Sequence, residues 1–184
     1  MNWKERILLI LLASVNFTHI LDFMVMMPLG NFLMPYFKIS PGQFSVIVAS
    51  YSISAAVSGF AAAFFVDGYD RKKVLLFGYI GFIIGTLCCG IAPSYALLLA
   101  ARITAGLFGG LIGAQVLSIV ADSFPYEKRG QAMGILFSAF SLASIVGVPS
   151  ALYLAGWLGW HSPFLCIAGL GLVIIILLKK NTSR

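Results

Sequence analysis

Residues 63–75 read Ala-Phe-Phe-Val-Asp-Gly-Tyr-Asp-Arg-Lys-Lys-Val-Leu, a short charged hinge set between two long apolar runs. In a chain that is 60% hydrophobic and 10% charged, with mean hydropathy +1.00, such a cluster belongs at a boundary between lipid and water. Soluble domains carry about a quarter of charged residues, so the composition predicts an integral membrane protein. At about 20 apolar residues per span, 184 residues accommodate roughly six helices and leave no room for a soluble domain.

Outward from the hinge, the apolar runs predict spans over about 7–28, 44–66, 74–92, 95–121, 131–156 and 163–178. The basic start at Lys4 and Arg6 imitates a secretory signal, but the run that follows is too long, holds His19 and Asp22 and lacks a cleavage site, so it reads as the first span. Gly30, Asn31, Pro35, Lys38, Pro41 and Gly42 predict a loop after it. Pro93-Ser94 predicts a minimal turn, and Asp122 through Gly130 forms a second charged turn. Trp157, Trp160 and His161 fit an interfacial aromatic belt. Cys88, Cys89 and Cys166 all lie in apolar runs and read as core thiols.

With the amino terminus inside, Lys4, Arg6, Arg71, Lys72, Lys73, Lys128, Arg129, Lys179, Lys180 and Arg184 fall on the inner side, ten against Lys38 alone outside. That bias places both termini in the cytoplasm and the chain in a cell (inner) membrane. The net charge of +6 is thereby a topology signal, and no nucleic-acid partner is expected. Residues 1–184 form one six-span domain built from units 7–92 and 95–178 around the cytoplasmic hinge 67–73. Three spans per unit make the second unit inverted relative to the first.

Few residues in the spans can carry chemistry. Asn16, His19 and Asp22 recur every third position, which predicts one polar side of the first helix. Asp22 lies roughly 22 Å up from one end of its span and Arg102 roughly 9 Å down from the other. At one depth in a bilayer of about 30 Å, the two charges can neutralise each other. Intramembrane charges point to substrate or proton handling, against the plainer alternative that Arg102 snorkels to the headgroups and Asp22 is a structural partner. His19, one turn away, can join the network or be a satisfied structural group. Gly106, Gly109, Gly110 and Gly113 predict close helix packing. Small-residue rows at Ser54, Ser58 and Ala62, at Ala55, Gly59 and Ala63, and at Ala143, Gly147, Ala151 and Ala155 predict more of it. Pro149 predicts a bend in the fifth span. The sequence shows no metal-ligand cluster, nucleophilic triad or phosphate-binding glycine loop, so no catalytic residues, metal or cofactor are assigned.

Ala63 to Leu75 resembles the loop motif between the second and third spans of the major facilitator superfamily, with Asp67, Arg71, Lys72 and Leu75 on its expected places. Ala63, Gly68 and Asp70 depart from the usual glycine, arginine and glycine. Arg102 and Gly106 are similar to the fourth-span Arg-x-x-x-Gly signature, with Ala105 where glutamine is frequent. Gly147-Val148-Pro149 looks like a variant of the fifth-span antiporter motif, and Gly156 to Phe164 resembles drug or sugar efflux members.

The resemblance implies an all-α half of a twelve-span transporter, with the first and fourth spans lining a central cavity and Asp22 and Arg102 beside the substrate path. It further implies that the hinge acid and bases, Asp67, Arg71 and Lys72, with Asp122, latch the inner side. The reading drawn from it is a half-size secondary transporter working as a parallel homodimer, second span against fifth, by proton-coupled efflux of a small organic solute with Asp22 as proton site. The alternative is an incomplete or regulatory half that needs a separate partner subunit.

Overall fold

A computed structural model describes residues 3–65 and 68–182; Asp67 of the hinge and Arg184 lie outside the described residues. Six stretches are long and apolar enough to cross a membrane. Helix α1 (Trp3–Phe37), α2 (Pro41–Phe65), α3 (Arg71–Gly90) and α4 (Tyr95–Ser123) supply the first four. The fifth consists of α5 (Tyr126–Leu142), a π-helical turn (Ala143–Gly147) and α6 (Val148–Leu158), and α7 (His161–Thr182) is the sixth. Leu9 and Leu12 pack in one cluster with Ile174 and Leu178, so the start of the first helix and the end of the last lie at the same end of the bundle.

The largest departure from the predicted spans is in α1. Its 35 residues run on past Pro28, where the span is predicted to end, and through Pro35 of the predicted loop, and reach about 52 Å. Proline removes a helix hydrogen bond, but here Leu29 and Leu33 are fully buried against Phe44 and Ile47, and that packing carries the helix onward. The true turn is Lys38 to Ser40. Lys38 takes a left-handed φ of 54°, and Ser40 and Gln43 then cap α2 reciprocally, Ser40 N–H to Gln43 Oε1 at 2.9 Å and Gln43 N–H to Ser40 Oγ at 3.2 Å. At the charged hinge Asp70 caps α3 by accepting from Lys72 and Lys73 N–H, and the predicted turn at Pro93-Ser94 ends with Ser94 capping α4.

Helix α4 is the axis of the bundle, gripped between α2 and α3. A Cβ on Gly106 would strike Ser54 Oγ and the Tyr51 backbone, and one on Gly110 would strike Ala55 O and Ser58 Oγ. These glycines therefore let α2 and α4 touch backbone to backbone, which is how helices associate where lipid is as apolar as leucine.

That contact uses the small-residue face of α2 inside the chain, and Ala143, Gly147, Ala151 and Ala155 are likewise buried, with Leu21 of α1 filling the space where a Gly147 side chain would stand. The rows expected at a contact between copies are thus occupied within one copy. Among the thiols only Cys89 is buried; Cys88 and Cys166 lie on the outer surface, which corrects their reading as core groups.

The disturbance predicted at Pro149 lies one turn earlier. Val148 N–H reaches back five residues to Ala143 O, and this widened turn relieves the crowding that the Pro149 ring imposes on the preceding carbonyls. Trp157 is exposed as a belt residue should be, but Trp160 is buried against Phe37 and Phe164, and His161 Nδ1 lies 2.7 Å from Gly90 O at the end of α3.

Candidate functional site

Two apolar clusters fill the ends of the bundle, and the charged site sits where they meet. Asp22 projects from α1 among buried neighbours Thr18, Leu21, Val25 and Met26, and Arg102 projects towards it from α4. Arg102 Nη1 donates to Asp22 Oδ2 at 2.7 Å, and both side chains are 0% exposed. Thr86 of α3 donates from Oγ1 to Asp22 Oδ1 at 3.2 Å. The guanidinium also lies over the Tyr51 ring of α2, 4.3 Å from its centroid, a cation–π contact out of water. Four of the six spans thus converge on one ion pair.

Beside the pair, His19 packs edge-on against Phe82 and tilted against Tyr51, with ring centroids 5.6 and 6.4 Å away. A Cβ on Gly109 would come within 2.7 Å of Tyr51 Oη and 2.9 Å of His19 Nε2, so the bare backbone of α4 makes room for both polar tips. Within the described residues, His19 Nδ1, Tyr51 Oη, Arg102 Nε and Arg102 Nη2 make no hydrogen bond although all four atoms are buried. Buried polar groups normally find partners, and these four atoms gather around the ion pair. One turn below, Thr18 and Tyr79 share a 2.8 Å hydrogen bond that ties α1 to α3.

The polar side predicted on α1 splits. Steps of three residues lag a helical turn by about 60° each, so Asn16 and Asp22 stand roughly 120° apart. Asn16 donates from Nδ2 to Leu136 O on α5, 3.2 Å away, and takes no part in the ion pair. Asp22 and Arg102 are both 0% exposed, enclosed by helices of this chain.

At the end of the bundle that holds the termini, Arg71 and Asp122 form an ion pair joining the start of α3 to the end of α4, both partly exposed. Lys128 reaches Glu5 at 3.4 Å across the starts of α5 and α1. Arg71 and Asp122, both assigned to the latch, are therefore paired within one chain, between α3 and α4, rather than across two halves, whereas Lys72 forms no ion pair among the described residues. No group of three or more metal-ligating side chains occurs among those residues.

Sequence reasoning did not single out Thr86 and Tyr51. A signal existed: Thr86 is an isolated hydroxyl in the middle of an apolar span, and Tyr51 is the only aromatic with a polar tip in α2. Asp70 was read as a departure from a motif, although an aspartate just before a helix is an ordinary cap.

The family model of the Major Facilitator Superfamily matches residues 12–183. The uncharacterized MFS-type transporter YceJ of Bacillus subtilis is 29% identical over 168 residues, covering 91% of this chain and 43% of that protein. Multidrug resistance protein 3 of the same organism is 32% identical over 143 residues, 76% of this chain and 28% of that protein. Among solved structures, a bacterial homologue of the human lysosomal transporter Spinster, inward-facing and unoccupied, superposes with a TM-score of 0.84 at 19% identity, covering 98% of this chain and 43% of that one. The chain spans less than half the length of these relatives.

Proposed function

This chain belongs to the major facilitator superfamily, and from that premise we propose that it is one six-helix half of a secondary transporter, completed by a second copy in parallel orientation, that exports a small organic solute against protons. The observation that carries the reading is the Asp22–Arg102 pair. Two opposite charges enclosed at mid-span cost several kcal/mol each to desolvate, an arrangement retained where a protein handles charge within the membrane.

The proton acts at Asp22 Oδ2. Protonation there weakens the charged acceptor of Arg102, and the guanidinium is then left with the Asp22 backbone carbonyl, 3.5 Å from Nη1, and the Tyr51 ring. Loss of that bond loosens α1 from α4, the leading helix of each three-helix unit, and such a coupling lets a proton bias alternating access. The solute itself meets a different surface. Phe23 and Met27 are exposed on the same helix as Asp22, an apolar wall suited to a weakly polar organic molecule, and a relative carrying the name multidrug resistance protein is consistent with such cargo. At the terminal end the Arg71–Asp122 pair ties α3 to α4 beside the hinge assigned to the latch, and the basic bias supports a position for that end on the cytoplasmic side of a cell membrane.

Burial supports the need for a second half. Inside this chain 22% of the α2 window and 28% of the fifth-span window are buried, against 39 to 56% for the other four spans. The least covered helices, second and fifth, are the ones assigned to the contact. A second reading is favoured by the small-residue rows already being filled and by the chain matching less than half of its relatives: the missing half is a different polypeptide segment.

The test pairs Ile53→Cys with Ile145→Cys, both exposed positions, in a background lacking the native cysteines. Cross-linked dimers in membranes together with saturable, pH-driven transport by the reconstituted chain support the homodimer. A monomeric, inactive chain sinks it in favour of the second reading, and transport without saturation contradicts a carrier altogether.

A further inference from the structure

At the terminal end of the bundle, α1, α3, α4 and α7 enclose a cavity of about 500 Å³. That size falls in the usual range for sites of small molecules, about 300–1,000 Å³. The cavity is separate from the ion pair, since Leu12, the deepest residue of its wall on α1, is 10 residues before Asp22, about 15 Å along the helix. Its composition is two-sided. The floor is apolar, with Leu12, Leu75 and Ile119 belonging to the buried cluster beneath. Two lysines border it, Lys4 from α1 and Lys72 from α3, and neither forms an ion pair among the described residues. Glu5 also borders the cavity, but its carboxylate is bridged by Lys128 at 3.4 Å, which offsets its charge.

We propose that this cavity binds one anionic phospholipid of the adjoining leaflet, its phosphodiester held between Lys4 and Lys72 and the first carbons of its acyl chains lying on the leucine floor. The inference does not depend on transport. Basic pockets between membrane helices recognise phosphorylated headgroups, and the leucine floor selects for a lipid over a free anion, because a soluble phosphate gains nothing from apolar contact. A lipid seated there would join the start of α1 to the start of α3 beside the Arg71–Asp122 pair, and so would stiffen the end of the bundle assigned to the latch.

Native mass spectrometry of the purified 184-residue chain tests this with phosphatidylglycerol and phosphatidylcholine of identical acyl chains. One retained phosphatidylglycerol per chain is expected, with phosphatidylcholine lost under the same conditions. Lys4→Gln and Lys72→Gln should each weaken retention about fivefold, the size of one basic contact at an anionic lipid surface. The Lys4→Arg, Lys72→Arg double variant keeps the charges and should retain the lipid, which separates loss of binding from loss of fold. Lys73→Gln removes an equal charge one residue away from a side chain that does not line the cavity, and should change little. Equal retention of the two lipids overturns the proposal. So does an effect of Lys73→Gln as large as that of Lys72→Gln, the mark of a diffuse basic surface, or full displacement of the lipid by soluble glycerol phosphate.

Discussion

Asp22–Arg102 and Arg71–Asp122 are both carboxylate–guanidinium pairs, yet the first is sealed in the middle of the bundle and the second stands part-exposed at its end. In water an ion pair gains little over its hydrated partners, so the exposed bridge is worth about 0–1 kcal/mol and is easily made and broken. Where water is excluded, breaking a pair by removing one partner strands the other charge and costs about 3–5 kcal/mol. On the proposed function, one side-chain chemistry gives a pair that opens easily at the end of the bundle and a pair that opens only when a proton arrives at its middle.

The comparison breaks most readily at Arg102. Arg102→Ala should lower the stability of the detergent-solubilised protein by about 3–5 kcal/mol, seen as a large drop in unfolding temperature. Adding Asp22→Asn should recover part of the loss, and no recovery would show that the two charges are not coupled. Next in size is packing around α4. Gly110→Leu forces a side chain into Ala55 O, where only backbone can yield, and overpacking of this kind costs about 1–3 kcal/mol. Gly113→Ala, with open space around it, serves as the control and should be silent.

Smaller still is the exposed pair. Arg71→Ala should shift stability by less than about 1 kcal/mol while changing how readily cysteine labels at the terminal end react; a shift as large as that of Arg102→Ala would erase the distinction drawn here. Raising salt to 1 M shortens the screening length to about 3 Å and should mimic Arg71→Ala without touching the buried pair. Lys38→Ala, at an exposed turn where the side chain makes no hydrogen bond or ion pair among the described residues, should move stability least of all.

Much of this architecture was legible in the sequence because a bilayer imposes strict rules. Apolar length sets the spans, and clustered lysine and arginine mark their ends, so six helices follow without any contact information. The meeting of Asp22 with Arg102 was legible for the same reason: two charges of opposite sign at one depth have few alternatives to each other. What was not legible depended on direction around a helix axis. Spacing alone puts Asn16 with Asp22, but a lag of about 60° per three residues turns Asn16 to α5. Gly30, Asn31 and Pro35 signal a loop because local rules cannot see the packing of Leu29 and Leu33 that holds α1 together. The small-residue rows were recognised as contact surfaces, while their partners, in this case within the chain, emerge only from the fold.

The account stands on Asp22 being the proton site of a carrier. Proteoliposomes holding the chain, with an imposed pH gradient and a pH-sensitive dye inside, measure proton flux and solute flux together. The wild-type chain should couple the two, and Asp22→Asn, which keeps the size of the side chain and its bond from Thr86 but leaves Arg102 without its carboxylate, should be less stable by about 3–5 kcal/mol and lose pH-driven flux in the fraction that still purifies as a folded species. Undiminished coupled flux through Asp22→Asn would contradict the account at its centre.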